Sequence, residues 1–65
     1  MTEQVDLIKV KEVVRRTLLS KPTLYRMIRK GQFPKQLYLS PNNVAWFGSE
    51  VDRWLSDRAA AREVQ

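Results

Sequence analysis

The densest group of chemistry-bearing side chains in this sequence is cationic. Residues 20–34 read SKPTLYRMIRKGQFP and contain Lys21, Arg26, Arg29 and Lys30 with no acid among them. A helix that needed only solubility would mix Lys with Glu, whereas cations gathered around a short apolar stripe suit a polyanion. Arginine in such a place can fork onto guanine O6 and N7, or grip phosphate and so fix register without reading sequence. The acids offer less. Glu50, Asp52 and Asp57 sit close together, but the chain has no His and no Cys. With no histidine, cysteine or glycine-rich loop beside them, catalysis is not expected. The same absences remove the commonest metal ligands and any disulfide, and no cofactor, metal or small-molecule ligand is implied.

The charge is unevenly spread. The 65 residues carry a formal +5 and a pI near 10.1. Between Lys9 and Lys35 nine basic residues face one acid, Glu12; from Gln36 to Phe47 there is no charge; from Gly48 onward the balance is −1. A chain this short reads as a single domain over residues 1–65, with most large apolar residues committed to one core and little room for a cleft. The longest apolar run is Val44–Phe47, too short for a signal peptide or a membrane span, so a cytoplasmic, nucleoid-associated protein is expected.

The elements that must position these cations follow from spacing. Residues 1–6 are polar and Leu7–Ile8 suit a short extended piece. Val10, Val13 and Val14 stand at i, i+3 and i+4, which predicts a first helix to about Thr17. Leu18, Leu19 and Ser20 form a connection, Ser20 being a candidate N-cap and Pro22 falling in the next first turn. The second helix is expected to reach about Lys30, with Gly31 as a left-handed stop. Two helices joined by three residues form a helix-turn-helix. On the second, Leu24, Met27 and Ile28 cover one side, Arg26, Arg29 and Lys30 the other, with Thr23 beside them and Tyr25 on the border. Beyond Pro34 the period changes to two: Leu37 and Leu39 alternate with polar neighbours, Ser40-Pro41-Asn42-Asn43 is turn chemistry, and Val44–Phe47 returns as a strand. Ser49 with Asp52 resembles a capping box opening a last helix, in which Val51, Trp54 and Leu55 close the core.

This order of pieces resembles the AlpA-like family of small phage and prophage regulators, related to excisionases and MerR-type DNA-binding domains. The matching residues are Val10-Lys11-Glu12-Val13, Thr17-Leu18-Leu19-Ser20, Thr23-Leu24-Tyr25-Arg26, Gly31-Gln32-Phe33-Pro34-Lys35, Trp46, and Glu50-Val51-Asp52-Arg53-Trp54-Leu55. They cover about residues 7–58. The resemblance implies a mainly α fold with a small β-hairpin, a winged helix-turn-helix whose second helix enters the major groove. Two departures stand out. The family usually has Gly where this chain has Leu18, so a positive φ there would be strained. Its wing often carries a basic residue, where this chain has Asn42 and Asn43.

The expected function is sequence-specific binding of double-stranded DNA by an AlpA-like transcriptional regulator of phage or prophage genes. Ser20, Lys21, Thr23, Tyr25, Arg26, Arg29 and Lys30 form the candidate recognition surface. Ser20, Lys21 and Thr23 stand where free N–H groups favour a phosphate oxygen. Tyr25 belongs to the core with its hydroxyl within reach of phosphate. Arg15 and Arg16, together with Lys35, Asn42 and Asn43, are the candidate flanking and wing contacts. Trp46, Trp54, Phe33 and Phe47 are read as core rather than as platforms for single-stranded bases. One module offers few base contacts, so further copies on adjacent sites, or a DNA-bound recombinase or polymerase, are the expected partners. An excisionase or recombination directionality factor, a basic adaptor for an acidic protein surface, and an RNA binder are the alternatives.

Overall fold

The structure, a computed structural model, describes residues 6–62. The chain begins with β1, Leu7–Ile8, and α1, Val10–Thr17. Lys9, with extended backbone, is the N-cap of α1 and offers its carbonyl to the amides of Glu12 and Val13. The valines expected to drive this helix do so unequally: Val13 is wholly buried, while Val10 and Val14 are half-buried. α1 stops at Leu18, which adopts φ 62°, ψ 18° and donates its N–H to the Val14 carbonyl at 2.8 Å. The positive φ expected to be strained at a residue with a side chain is therefore adopted here by Leu18. Thr17 steadies the turn, its hydroxyl donating to the Val13 carbonyl and accepting from the Leu19 amide.

α2, Lys21–Arg29, is capped by Ser20, whose hydroxyl oxygen accepts from the Thr23 amide and whose O–H donates to Thr23 Oγ1 at 2.9 Å. It ends in a full Schellman motif. Gly31 at φ 73° lets its own amide reach the Ile28 carbonyl and the Gln32 amide reach the Met27 carbonyl.

β2, Leu37–Ser40, and β3, Asn43–Phe47, form the expected hairpin. The sheet has a third strand: β1 pairs antiparallel with β3, Leu7 opposite Phe47 and Ile8 opposite Trp46, in the order β1-β3-β2. In the hairpin Leu37 faces Ala45, Tyr38 faces Val44 and Ser40 faces Asn43, so Leu39 is the extra residue of a β-bulge. The alternation that would have put Leu39 inside with Leu37 is broken there, and Leu39 is 50% exposed.

α3, Gly48–Ala61, follows β3 without a connecting loop. Its N-cap is Phe47, not Ser49, and no side-chain cap bond forms. The strand runs directly into the helix, and the Gly48 amide donates to the Asp6 carbonyl at 2.7 Å. The start of α3 is thus set by the sheet. A Cβ at Gly48 would meet the ends of two flexible side chains, the Asp6 carboxylate and the Arg16 guanidinium, which would have to shift to admit it.

Ile8, Val13, Leu24, Ile28, Phe33, Ala45, Trp46 and Val51 make the core, with no buried polar or charged side chain among the described residues. Both indoles lie against it as read, and each finds an acceptor: Trp46 Nε1 donates to the Pro34 carbonyl at 3.1 Å and Trp54 Nε1 to the Gln32 carbonyl at 2.8 Å. Phe33 meets Trp54 edge-on at 4.8 Å. These bonds hold the segment linking α2 to the wing at Gln32 and at Pro34. The architecture is a winged helix-turn-helix, three helices around a small antiparallel sheet. No helix among the described residues is long and apolar enough to cross a membrane.

Candidate nucleic-acid interface

The core residues of α2 decide which of its side chains reach solvent. Leu24 and Ile28 are buried and Met27 packs against the same cluster, which turns Arg26, Arg29 and Lys30 outward. Ser20 and Lys21 are exposed at the amino end, and Thr23 is half-buried. Tyr25 is half-buried with its ring tilted against Trp46, centroids 6.3 Å apart. Among the described residues no carboxylate pairs with Lys21, Arg26, Arg29 or Lys30. The helix therefore presents one uncompensated basic face, with a capped amino terminus beside it.

The two α1 arginines are differently placed. Arg15 forks onto Glu12, Nε to Oε1 at 2.8 Å and Nη2 to Oε2 at 2.7 Å. Arg16 donates Nε to Glu12 Oε2 at 2.8 Å and Nη1 to Asp52 on α3 at 3.2 Å. Its side chain is 22% exposed against 71% for Arg15. Arg16 is a strut between α1 and α3, and Arg15 keeps its guanidinium in solvent. The guanidinium hydrogen bonds hold the Glu12 carboxyl down to about 2 from an ordinary 4.5. Glu12 stands three and four residues before its partners, a spacing visible in the sequence; the link to Asp52 is not visible there.

Of the remaining candidates, Lys35 is exposed on the segment leading into the wing, and Asn42 is exposed at the turn. Asn43 is half-buried, and its Oδ1 accepts a hydrogen bond from Lys9 Nζ. Lys9 and Asn43 are 34 residues apart in sequence, and no local pattern links them. Glu50 and Asp57, two of the carboxylates of the C-terminal segment, line an open groove together with Lys35 and Arg53.

The family model described as prophage CP4-57 regulatory protein (AlpA) matches residues 6–59. An uncharacterised protein, ORF88 of Enterobacteria phage P4, is 46% identical over 56 residues, which is 86% of this chain and 64% of that protein. The chain thus spans just under two thirds of the length of that curated relative. The matched residues run from the foot of β1 nearly to the end of α3 and take in the basic helix, the turn at Leu18 and the whole wing. On that extent of agreement, the chain belongs to the AlpA family of prophage regulatory proteins.

Proposed function

We propose that this chain is a sequence-specific double-stranded DNA-binding protein that regulates transcription of phage or prophage genes, with α2 as the helix that enters the major groove. The observation that carries the reading is the outer face of α2, where Arg26, Arg29 and Lys30 stand exposed beside Lys21 with no acidic partner among the described residues. Arg26 and Arg29 are assigned to base edges and Lys30 to an edge or phosphate, while Ser20, Lys21 and Thr23 receive phosphate at the helix amino terminus. Tyr25 contributes its hydroxyl to the backbone from its place against Trp46. Lys35 and Asn42 extend the contact towards the wing, and Arg15 reaches phosphate from α1.

The electrostatic share has an upper bound. Nine basic residues lie between Lys9 and Lys35, and one of them, Arg16, is tied to both Glu12 and Asp52. At about 0.9 per phosphate, the eight that remain, Arg15 among them, would give a log–log salt slope from this segment no steeper than about −7.

The test is selection of duplexes from a random DNA pool at roughly physiological salt, followed by sequencing. A short enriched motif is expected, and Arg26→Ala and Arg29→Ala are each expected to fold normally yet weaken binding to it by about 1–3 kcal/mol. Normal folding of both variants with undiminished affinity would remove α2 from the groove.

A further inference from the structure

The wing of this protein has no charge of its own: from Gln36 to Phe47 there is neither an acid nor a base. Its two edges differ, however. β1 lies along β3, and the antiparallel register that sets Ile8 opposite Trp46 carries Lys9 in the direction of the wing turn. There Lys9 Nζ donates to Asn43 Oδ1, at the first residue of β3. This contact joins the N-cap residue of the first helix to the tip of the hairpin.

The chemistry of the pair is one-sided. An ammonium has three N–H donors and no acceptor, so it can meet only the oxygen of the amide. That fixes which way Asn43 is turned. Its NH2 group is left over, and no acceptor holds that group among the described residues. Among the described residues the other two N–H bonds of Lys9 have no acceptor and its side chain makes no ion pair. Exposed Asn42 stands next in the chain. The junction therefore offers donors and a full positive charge to solvent, and what such a group recognises is an anionic oxygen.

We propose that Lys9, held on the wing by Asn43, is the wing's phosphate-binding cation, and that the pair grips the duplex backbone beside the segment read by α2. The proposal rests on the DNA-binding reading above. Lys9 supplies the cation that the uncharged hairpin lacks, and the hydrogen bond to Asn43 aims it. Without that bond the charge would remain on the protein, but its long side chain would sample many positions.

The experiment measures fluorescence anisotropy of the selected duplex, and separately of a random-sequence duplex, with the parent, Lys9→Gln, Lys9→Arg and Asn43→Ala, from about 50 to 200 mM salt. Lys9→Gln is expected to make the salt slope shallower by about 0.9 on both duplexes, because a phosphate contact carries no sequence information. Lys9→Arg is expected to keep the parent slope. Hydroxyl-radical footprints should show protection beside the central site for the parent, and loss of it for both Lys9→Gln and Asn43→Ala. All variants should melt with the parent, since the pair is at the surface. A Lys9→Gln protein with the parent's slope and footprint would overturn the assignment. The two readings fail separately: if no motif is ever enriched, sequence-specific regulation falls, while the slope on random duplex still decides the role of Lys9.

Discussion

Leu18 combines a left-handed backbone, φ 62°, with a side chain that is 88% exposed. A residue with a Cβ in this region costs about 1–2 kcal/mol. The side chain returns little, since only about one eighth of it is covered, and full burial of a Leu would contribute about 1.5–3 kcal/mol. Replacing Leu18 by Gly removes the backbone cost but adds about 0.5–1 kcal/mol of unfolded-state freedom. Replacing it by Ala keeps the Cβ and loses the same small burial. The informative comparison is between the two variants: Gly is expected to exceed Ala by about 0.5–1 kcal/mol, the reverse of their order within a helix. For a domain of this size that is about 2–8 °C in melting temperature. Gly31 is the converse case. It has φ 73° and nothing within 4 Å of where a Cβ would stand, so Gly31→Ala should lower stability by about 1 kcal/mol through backbone conformation alone. Thermal melts followed by far-UV circular dichroism, with urea midpoints as a second measure, give all four values. If Leu18→Ala proves as stable as Leu18→Gly, position 18 is not strained and the argument from φ is wrong.

The Glu12 cluster predicts an acid response. A carboxylate whose folded pKa lies below its unfolded one binds fewer protons when folded, so the stability it brings is complete above about 4.5 and is lost as pH falls towards 2. The melting temperature should fall across that window in the parent and less in Glu12→Gln; parallel profiles would dismiss the cluster as a stabilising element. Trp46 is wholly buried, and Trp46→Ala should cost about 3–5 kcal/mol of a total expected at about 3–10 kcal/mol for this length. A cooperative melt near the parent's would show that the core does not depend on it.

What could be read from the sequence was whatever is written within a turn or two of the chain. The valines of α1, the Ser20 cap with Pro22 behind it, the stop at Gly31 and the opposed faces of α2 are short-range signals, and the helices fall where those signals put them. The basic face of α2 was legible for the same reason, because burying Leu24 and Ile28 leaves Arg26 and Arg29 only one place to go. The structure departs from those signals where distant partners overrule local pattern. Ser49 has the spacing of a cap, yet α3 starts earlier because β3 delivers Gly48 to the Asp6 carbonyl. Leu39 has the period of an inward residue, but a bulge displaces it. Arg16 looks like a surface cation until Asp52 arrives from 36 residues away. Lys9 belongs to α1 by sequence and to the wing by contact.

The pairing of Ile8 with Trp46 also has a consequence in time. Leu24 and Ile28 lie in a cluster completed by Ile8 before them and by Trp46 and Val51 after them, while Tyr25 leans on the Trp46 ring. A nine-residue helix such as α2 is not stable by itself. During synthesis, then, the basic helix leaves the ribosome well before the strand that shapes it, and it gains a fixed surface only when β3 and the start of α3 have followed. Nascent chains cut short within the wing would carry most of the positive charge and none of the reading surface. They would be sticky towards nucleic acid and blind to its sequence, and open to proteolysis until the indole of Trp46 is in place.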